Sequence, residues 1–351
     1  YMAENPKSLL VSPHGGRLVS KEVSMEDMTV LDDLRHFEVS PQDLMDCEQI
    51  ANGTYSPLQG FMDKETLNSV LAENQLPNGI IWTMPIVLQF PNRNLSPAVD
   101  ERVILTGETG KPHSLFDVTE VYSVDLSSVA KSWFGTNDLS HPGVARFMAR
   151  GSCFVAGEVT LIERRASVYR EFELTPTQTR FIFSHKGWSR VVGFHTRNPA
   201  HRVHEYIQLS ALSQTHADGL YISPVIGPKK EGDFLPGPIL RSYQTLIQDG
   251  VYPEGKVVMG GFSTYSRFCG PREAVFTALA RKNMGCSHFI VGRDHTGVGN
   301  YYTDSDNKRL FESIGDLGIT PVFFDAIGYH PEQNCYLPQE TPGVMQTITG
   351  T

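Results

Sequence analysis

Residues Gly193 to Glu205 read GFHTRNPAHRVHE; they follow a β-branched run at Arg190 to Phe194 and pass directly into a helical pattern. A strand that becomes a helix over so few residues is the repeating unit of an α/β fold with a parallel sheet. Asn198 suits the N-cap and Pro199 the first helical position, where the missing N–H costs nothing and the fixed φ is already helical. The spacing predicts a helix over Pro199 to His216. Its free N–H groups and its dipole together make a site for an anion. His201 and His204 lie three residues apart and share one face of the first turn, while Arg197, just before the cap, carries a fork suited to a tetrahedral oxyanion. In isolation, these residues read as surface or capping histidines and a salt-bridge arginine. Zinc is not expected, because the spacing is not H-E-x-x-H and no cysteine accompanies the pair.

Outward from this stretch, the alternation of strand, turn and helix continues from about Arg180 to the end of the chain. Candidate strands are Arg190 to Phe194, Lys256 to Met259, His288 to Gly292 and Ile319 to Phe324; candidate helices are Pro199 to His216, Pro271 to Met284 and Asn307 to Leu317. A second segment, GRDHTGVGNY from Gly292 to Tyr301, follows the third of these strands, at the carboxyl end where such sheets bind ligands. Gly292, Gly297 and Gly299 let backbone approach a ligand closely, Arg293 adds charge, and Asp294 is placed to orient His295. Read alone, the segment is also a glycine-rich turn with a local Asp–His pair. It matches neither a P-loop nor a dinucleotide fingerprint. The first half of the chain is different, with short β-rich runs at Ile80 to Phe90, Arg102 to Thr106 and Ser152 to Leu161. It predicts a mostly β domain over residues 1–165, closed by a linker opening at Glu163-Arg164-Arg165, then an α/β domain over 166–325, which the resemblance given below makes the catalytic one, and a C-terminal segment over 326–351.

The chain has 351 residues, 40% hydrophobic and 20% charged, which fits two or three globular domains. No stretch reaches the roughly 18 apolar residues of a membrane helix, and the first residues lack a secretion signal, so a cytoplasmic protein is expected. Five widely spaced cysteines (Cys47, Cys153, Cys269, Cys286 and Cys335) contain no C-x-x-C pair and predict reduced, packed thiols. A net charge of -9 disfavours a polyanionic partner such as nucleic acid.

Taken together, the T-R-N-P-x-H-R-x-H run and the G-R-D-H loop about ninety residues later resemble the ATP sulfurylase (sulfate adenylyltransferase) family. The resemblance extends to YSPLQGF at Tyr55 to Phe61, to GPREAVFTALARKNMGC at Gly270 to Cys286, and to the terminal Ile348-Thr349-Gly350-Thr351. It implies a PUA-like N-terminal domain followed by a Rossmann-like nucleotidyltransferase domain, and the conversion of ATP and sulfate to adenosine 5′-phosphosulfate (APS) and pyrophosphate. By the same resemblance, Thr196, Arg197, Asn198, His201 and His204 carry catalysis, and His195, Arg197, Asn198, Gly292, Arg293, Asp294, His295, Thr296 and Ile327 bind substrate. Mg²⁺ arrives with ATP rather than in a carboxylate cage, and Lys229-Lys230 face either the phosphates or solvent. Many family members carry glutamine where this chain has His195 and alanine where it has Thr296; the zinc-binding cysteines of some bacterial members are absent. The resemblance further implies a homo-oligomer and a C-terminal continuation beyond Thr351. Two other readings stay open: a nucleotidyltransferase acting on a phosphorylated metabolite, and a non-catalytic RNA-binding protein, against which the net charge and the histidine pair weigh.

Overall fold

The computed structural model describes residues 8–24, 31–229, 231–292, 295 and 297–345. Its first half is built on strands β1 (His36–Glu38), β2 (Gly60–Phe61), β3 (Leu88–Phe90), β4 (Arg102–Thr106), β5 (Pro112–Ser123) and β6 (Cys153–Leu161). They form a six-stranded sheet in the order β1-β4-β5-β6-β2, with β3 also on β6. Only β1 and β4 run parallel. Helices α1 (Pro41–Ala51), α2 (Lys64–Glu73), α3 (Leu126–Phe134) and α4 (Pro142–Ala149) surround the sheet. The run expected as a strand at Ile80 to Phe90 shortens to Leu88–Phe90. Pro85 cannot donate to a ladder, and the backbone there is used otherwise: Trp82 Nε1 donates to the Met84 carbonyl and Thr83 Oγ1 to the Arg272 carbonyl.

The second half has five parallel strands: β7 (Val191–Thr196), β8 (Gly219–Pro224), β9 (Val257–Met259), β10 (His288–Val291) and β11 (Thr320–Phe323). Their order is β11-β10-β7-β8-β9. Between them run α5 (Pro176–His185, before β7), α6 (Arg202–Gln214), α7 (Pro236–Gln248), α8 (Pro271–Met284) and α9 (Asp304–Ser313). A hairpin of β12 (Ile327–His330) and β13 (Cys335–Pro338) follows. The helix expected over Asn307 to Leu317 instead spans Asp304–Ser313, because Thr303 and Asp306 form a capping box that starts it earlier. The α8 reading needs no change. The terminal Ile348-Thr349-Gly350-Thr351 block lies outside the described residues.

α8 joins the two halves. It is buried on nearly every side, which suits an alanine-rich helix lying between two layers. Phe276 meets Tyr55 at 5.0 Å and Trp82 at 5.9 Å between ring centroids, so one apolar core continues from the first half into the second. Asn283 fastens the same contact by donating to the carbonyls of Thr54 (2.9 Å) and Ser56 (3.0 Å). Nearby, Arg267 pairs with Asp46 at 2.6 Å, and the Tyr265 hydroxyl donates to the other carboxylate oxygen at 2.9 Å. Cys47, Cys153, Cys269 and Cys286 are buried free thiols, and Cys335 is a partly buried one.

Candidate active site

The chain leaves β7 through α6 to β8 on one side, and after β9 it crosses by α8 to β10 on the other. β7 and β10 are neighbours, so the topological switch lies between them, and the crevice beyond their carboxyl ends is the ligand position of such a sheet. Both singled-out motifs emerge there. β7 ends at Thr196 and leads into Arg197 and Asn198, while β10 ends at Val291 and leads into Gly292.

α6 begins at Arg202, with His201 as its N-cap, and not at Pro199 with Asn198 as cap. Two side-chain hydroxyls account for the difference. Thr196 Oγ1 accepts from the Asn198 N–H and donates to the Asn198 carbonyl, both at 3.1 Å, so that carbonyl is taken before a helical bond can form. The Ala200 N–H donates to Ser242 Oγ of α7 at 2.9 Å. As a result, His201 and His204 occupy the cap and the third helical position, with ring centroids 3.7 Å apart and planes inclined by 29°. No side chain caps this terminus.

Burial depresses the basicity of both rings, that of His204 to about 3, with His201 reinforcing the effect. At neutral pH they are uncharged hydrogen-bonding groups. His204 Nδ1 lies 3.2 Å from the Tyr243 hydroxyl, and the Phe194 ring packs edge-on at 5.3 Å. Tyr243 belongs to α7, so that helix packs a phenol against the histidine pair. Nothing in the sequence pattern singled out this tyrosine.

A second group gathers on the β10 side. His295 is buried, with Nε2 2.9 Å from Thr277 Oγ1 of α8, and burial pushes its basicity down to about 3, with Arg281 and Arg197 adding to the effect. The rings of His195 and His295 stand 5.1 Å apart. Arg197 rests over the Phe268 ring at 5.5 Å, and its guanidinium has no hydrogen-bond or ion-pair partner among the described residues. Lys229 is half-buried, donates to the Val225 carbonyl at 2.9 Å, and is lowered to about 8 by burial and by Arg197. Asp233 acts on Lys229 and Glu273 on Arg197 from a distance, so the two cations sit here among neutral imidazoles without a close ion pair between described residues.

Of the residues expected at the site, His195, Thr196, Arg197, Asn198, His201, His204, Gly292 and His295 lie at or just beyond the ends of β7 and β10. Arg293, Asp294 and Thr296 lie outside the described residues, as does Lys230. Ile327 opens β12 and is buried in the apolar cluster of Val192, Phe194 and Ile290. Among the described residues no group of three or more His, Cys, Asp or Glu is arranged around a metal position, and no helix is long and apolar enough to cross a membrane.

The sequence profile of the ATP-sulfurylase family matches residues 170–350, and that of a PUA-like domain matches residues 11–164. The chain belongs to the ATP sulfurylase family. Within that family it is 39% identical over 325 residues to the sulfate adenylyltransferase of Symbiobacterium thermophilum, covering 90% of this chain and 81% of that one. It is 41% identical over 315 residues to that of Hyperthermus butylicus (89% and 80% covered) and 36% identical over 349 residues to that of Cenarchaeum symbiosum (97% and 90% covered). Among solved structures, a hexameric APS kinase from Thiobacillus denitrificans superposes with a TM-score of 0.77 at 20% identity. The match covers 97% of this chain and 62% of the other, and is a likeness of fold.

Proposed function

We propose that this chain is a sulfate adenylyltransferase, converting ATP and sulfate to APS and pyrophosphate by in-line attack of a sulfate oxygen on the α-phosphate. The observation that carries the reading is that β7 and β10, the strands leading into the family's two motifs, are neighbours at the switch point of the sheet. Sulfate is fully deprotonated near neutral pH, so the step needs no general base. The new bond joins a sulfate oxygen to the α-phosphorus as the bond to the bridging oxygen breaks, and pyrophosphate leaves with that electron pair. Catalysis is then alignment of two anions and neutralisation of charge on the phosphoryl group and leaving group.

Arg197 supplies the bidentate cation for sulfate, with His195 beside it. Thr196, whose hydroxyl holds the Asn198 backbone, and the Asn198 carboxamide, which makes no hydrogen bond among the described residues, position the phosphates. His201 and His204 donate to the transition state and the departing pyrophosphate. The loop at Gly292, Arg293, Asp294, His295 and Thr296 holds nucleotide, and the backbone at Ile327 meets the adenine. Mg²⁺ enters as part of the MgATP substrate, held by phosphate oxygens and water. The protein would act in the cytoplasm and as a homo-oligomer.

Pyrophosphate release from MgATP checks this reading. It is expected to require sulfate, or molybdate in its place, and to vanish when both are omitted. Release driven by a phosphorylated metabolite, with sulfate inert, contradicts it.

A further inference from the structure

Beneath the sulfate side of the site lies an arginine without an acid. Arg281, in the last turn of α8, is 0% exposed, and among the described residues no carboxylate lies within ion-pair distance of it. The other deeply buried arginine, Arg267, has Asp46. An unpaired buried cation is costly, and a fold retains one where something else compensates it. Arg281 has Phe262 against its guanidinium at 4.3 Å, and burial lowers it to about 10. Among the described residues its Nε and Nη1 have no hydrogen-bond partner, while Nη2 donates to the Ser223 carbonyl and to His195 Nδ1, each at 2.9 Å. Its stem fits because position 193 is glycine: a Cβ there would stand 3.0 Å from Arg281 Cγ and 3.2 Å from Cys286 Sγ.

The bond to His195 has a definite sense. A guanidinium only donates, so Nδ1 must accept, and a neutral imidazole that accepts at Nδ1 carries its proton on Nε2. The groups facing His195 come from four elements: Arg281 of α8, His295 after β10, Arg197 after β7 and Lys229 after β8. All are cationic or neutral, and together with burial they hold the ring unprotonated.

We propose that Arg281 is a positioning residue for the oxyanion substrate: it locks His195 as the Nε2–H donor, and its own charge is compensated when the sulfate dianion binds above it. The proposal rests on the sulfate reading of this site. It adds a residue that touches no substrate but sets what His195 presents to it.

The test compares the full-length protein with Arg281→Met, Arg281→Lys, His195→Gln and the Arg281→Met/His195→Gln double variant. KM for sulfate and for MgATP is measured by pyrophosphate release between pH 6 and 8. Loss of a hydrogen bond involving a charged group predicts a sulfate KM raised roughly tenfold or more in Arg281→Met, with the MgATP KM little changed and Arg281→Lys partly restoring it. Because Arg281 acts through His195, the sulfate KM of the double variant should match that of His195→Gln alone, whereas additive losses in the double variant would show that the arginine does not act through the ring. Equal changes in both KM values, or an unaltered sulfate KM, would overturn the proposal.

Since Arg281→Met could fail to fold, a second measurement uses the unaltered protein. Nitrogen-15 histidine spectra, with His195 assigned from His195→Gln, should show Nδ1 bare and Nε2 protonated from pH 6 to 8. A proton on Nδ1, or titration near the ordinary histidine value, overturns the idea. Absence of sulfate-dependent pyrophosphate release from the unaltered protein would sink the functional reading and the proposal with it, whatever the His195 spectrum reports.

Discussion

His204→Ala is expected to reduce turnover by about 10²- to 10³-fold, the usual loss when one preorganised donor to a developing anion is removed. The magnitude follows from how little freedom the ring has. It is stacked on His201, touched by the edge of Phe194, and its Nδ1 faces the Tyr243 hydroxyl. A donor fixed in this way needs no reorganisation at the moment of reaction, so its removal should fall on kcat more than on the KM for MgATP. Tyr243→Phe leaves the imidazole in place and loosens only its orientation, so its effect should be smaller than that of His204→Ala. Steady-state kinetics on both variants check the ordering. Turnover of His204→Ala within a few-fold of the unaltered protein would remove this histidine from the mechanism.

Arg267→Met is expected to cost about 3–5 kcal/mol of stability, the penalty for breaking one side of a buried ion pair. Asp46 would be left inside the joint between the two halves with, among the described residues, only Tyr265 donating to it. Burial already pushes that carboxyl upward against the pull of Arg267, so the orphaned group would take up a proton rather than stay charged. Arg267 also donates to Thr264 Oγ1 at 3.2 Å and to the Tyr265 carbonyl at 3.3 Å, and both lose that donor, although Thr264 Oγ1 keeps its 3.0 Å contact with the Tyr55 hydroxyl. Chemical denaturation measures the loss. The double change Arg267→Met/Asp46→Leu should recover part of it, because the uncompensated carboxylate is gone. A double variant as unstable as the sum of the two single ones would show that the pair acts through packing and not through charge.

Much of the catalytic half was legible because its signals are local. The β-branched run before Thr196, the apolar run of β10 and the evenly buried α8 each declare themselves within a dozen residues. The start of α6 was misplaced because the decisive acceptor, Ser242, comes from α7, more than forty residues on, and no local pattern of caps contains it. β8 was not among the strands expected. It is buried along its whole length, so it lacks the alternation that marks a half-exposed strand, yet it pairs with β7 and supplies the Ser223 carbonyl to Arg281. Arg281 was hidden for a similar reason. An arginine near a helix C-terminus ordinarily serves the helix dipole in solvent, and only the sheet packed over it through Gly193 makes it interior.

The central claim is that a nucleotide and a sulfate meet across the carboxyl ends of β7 and β10. A crystal structure with APS and pyrophosphate bound tests it most directly. The account predicts sulfate oxygens about 3 Å from the Arg197 guanidinium, with pyrophosphate over the first turn of α6 beside His201 and His204. A nucleotide bound elsewhere, with Arg197 and the histidine pair facing separate cavities, would contradict it.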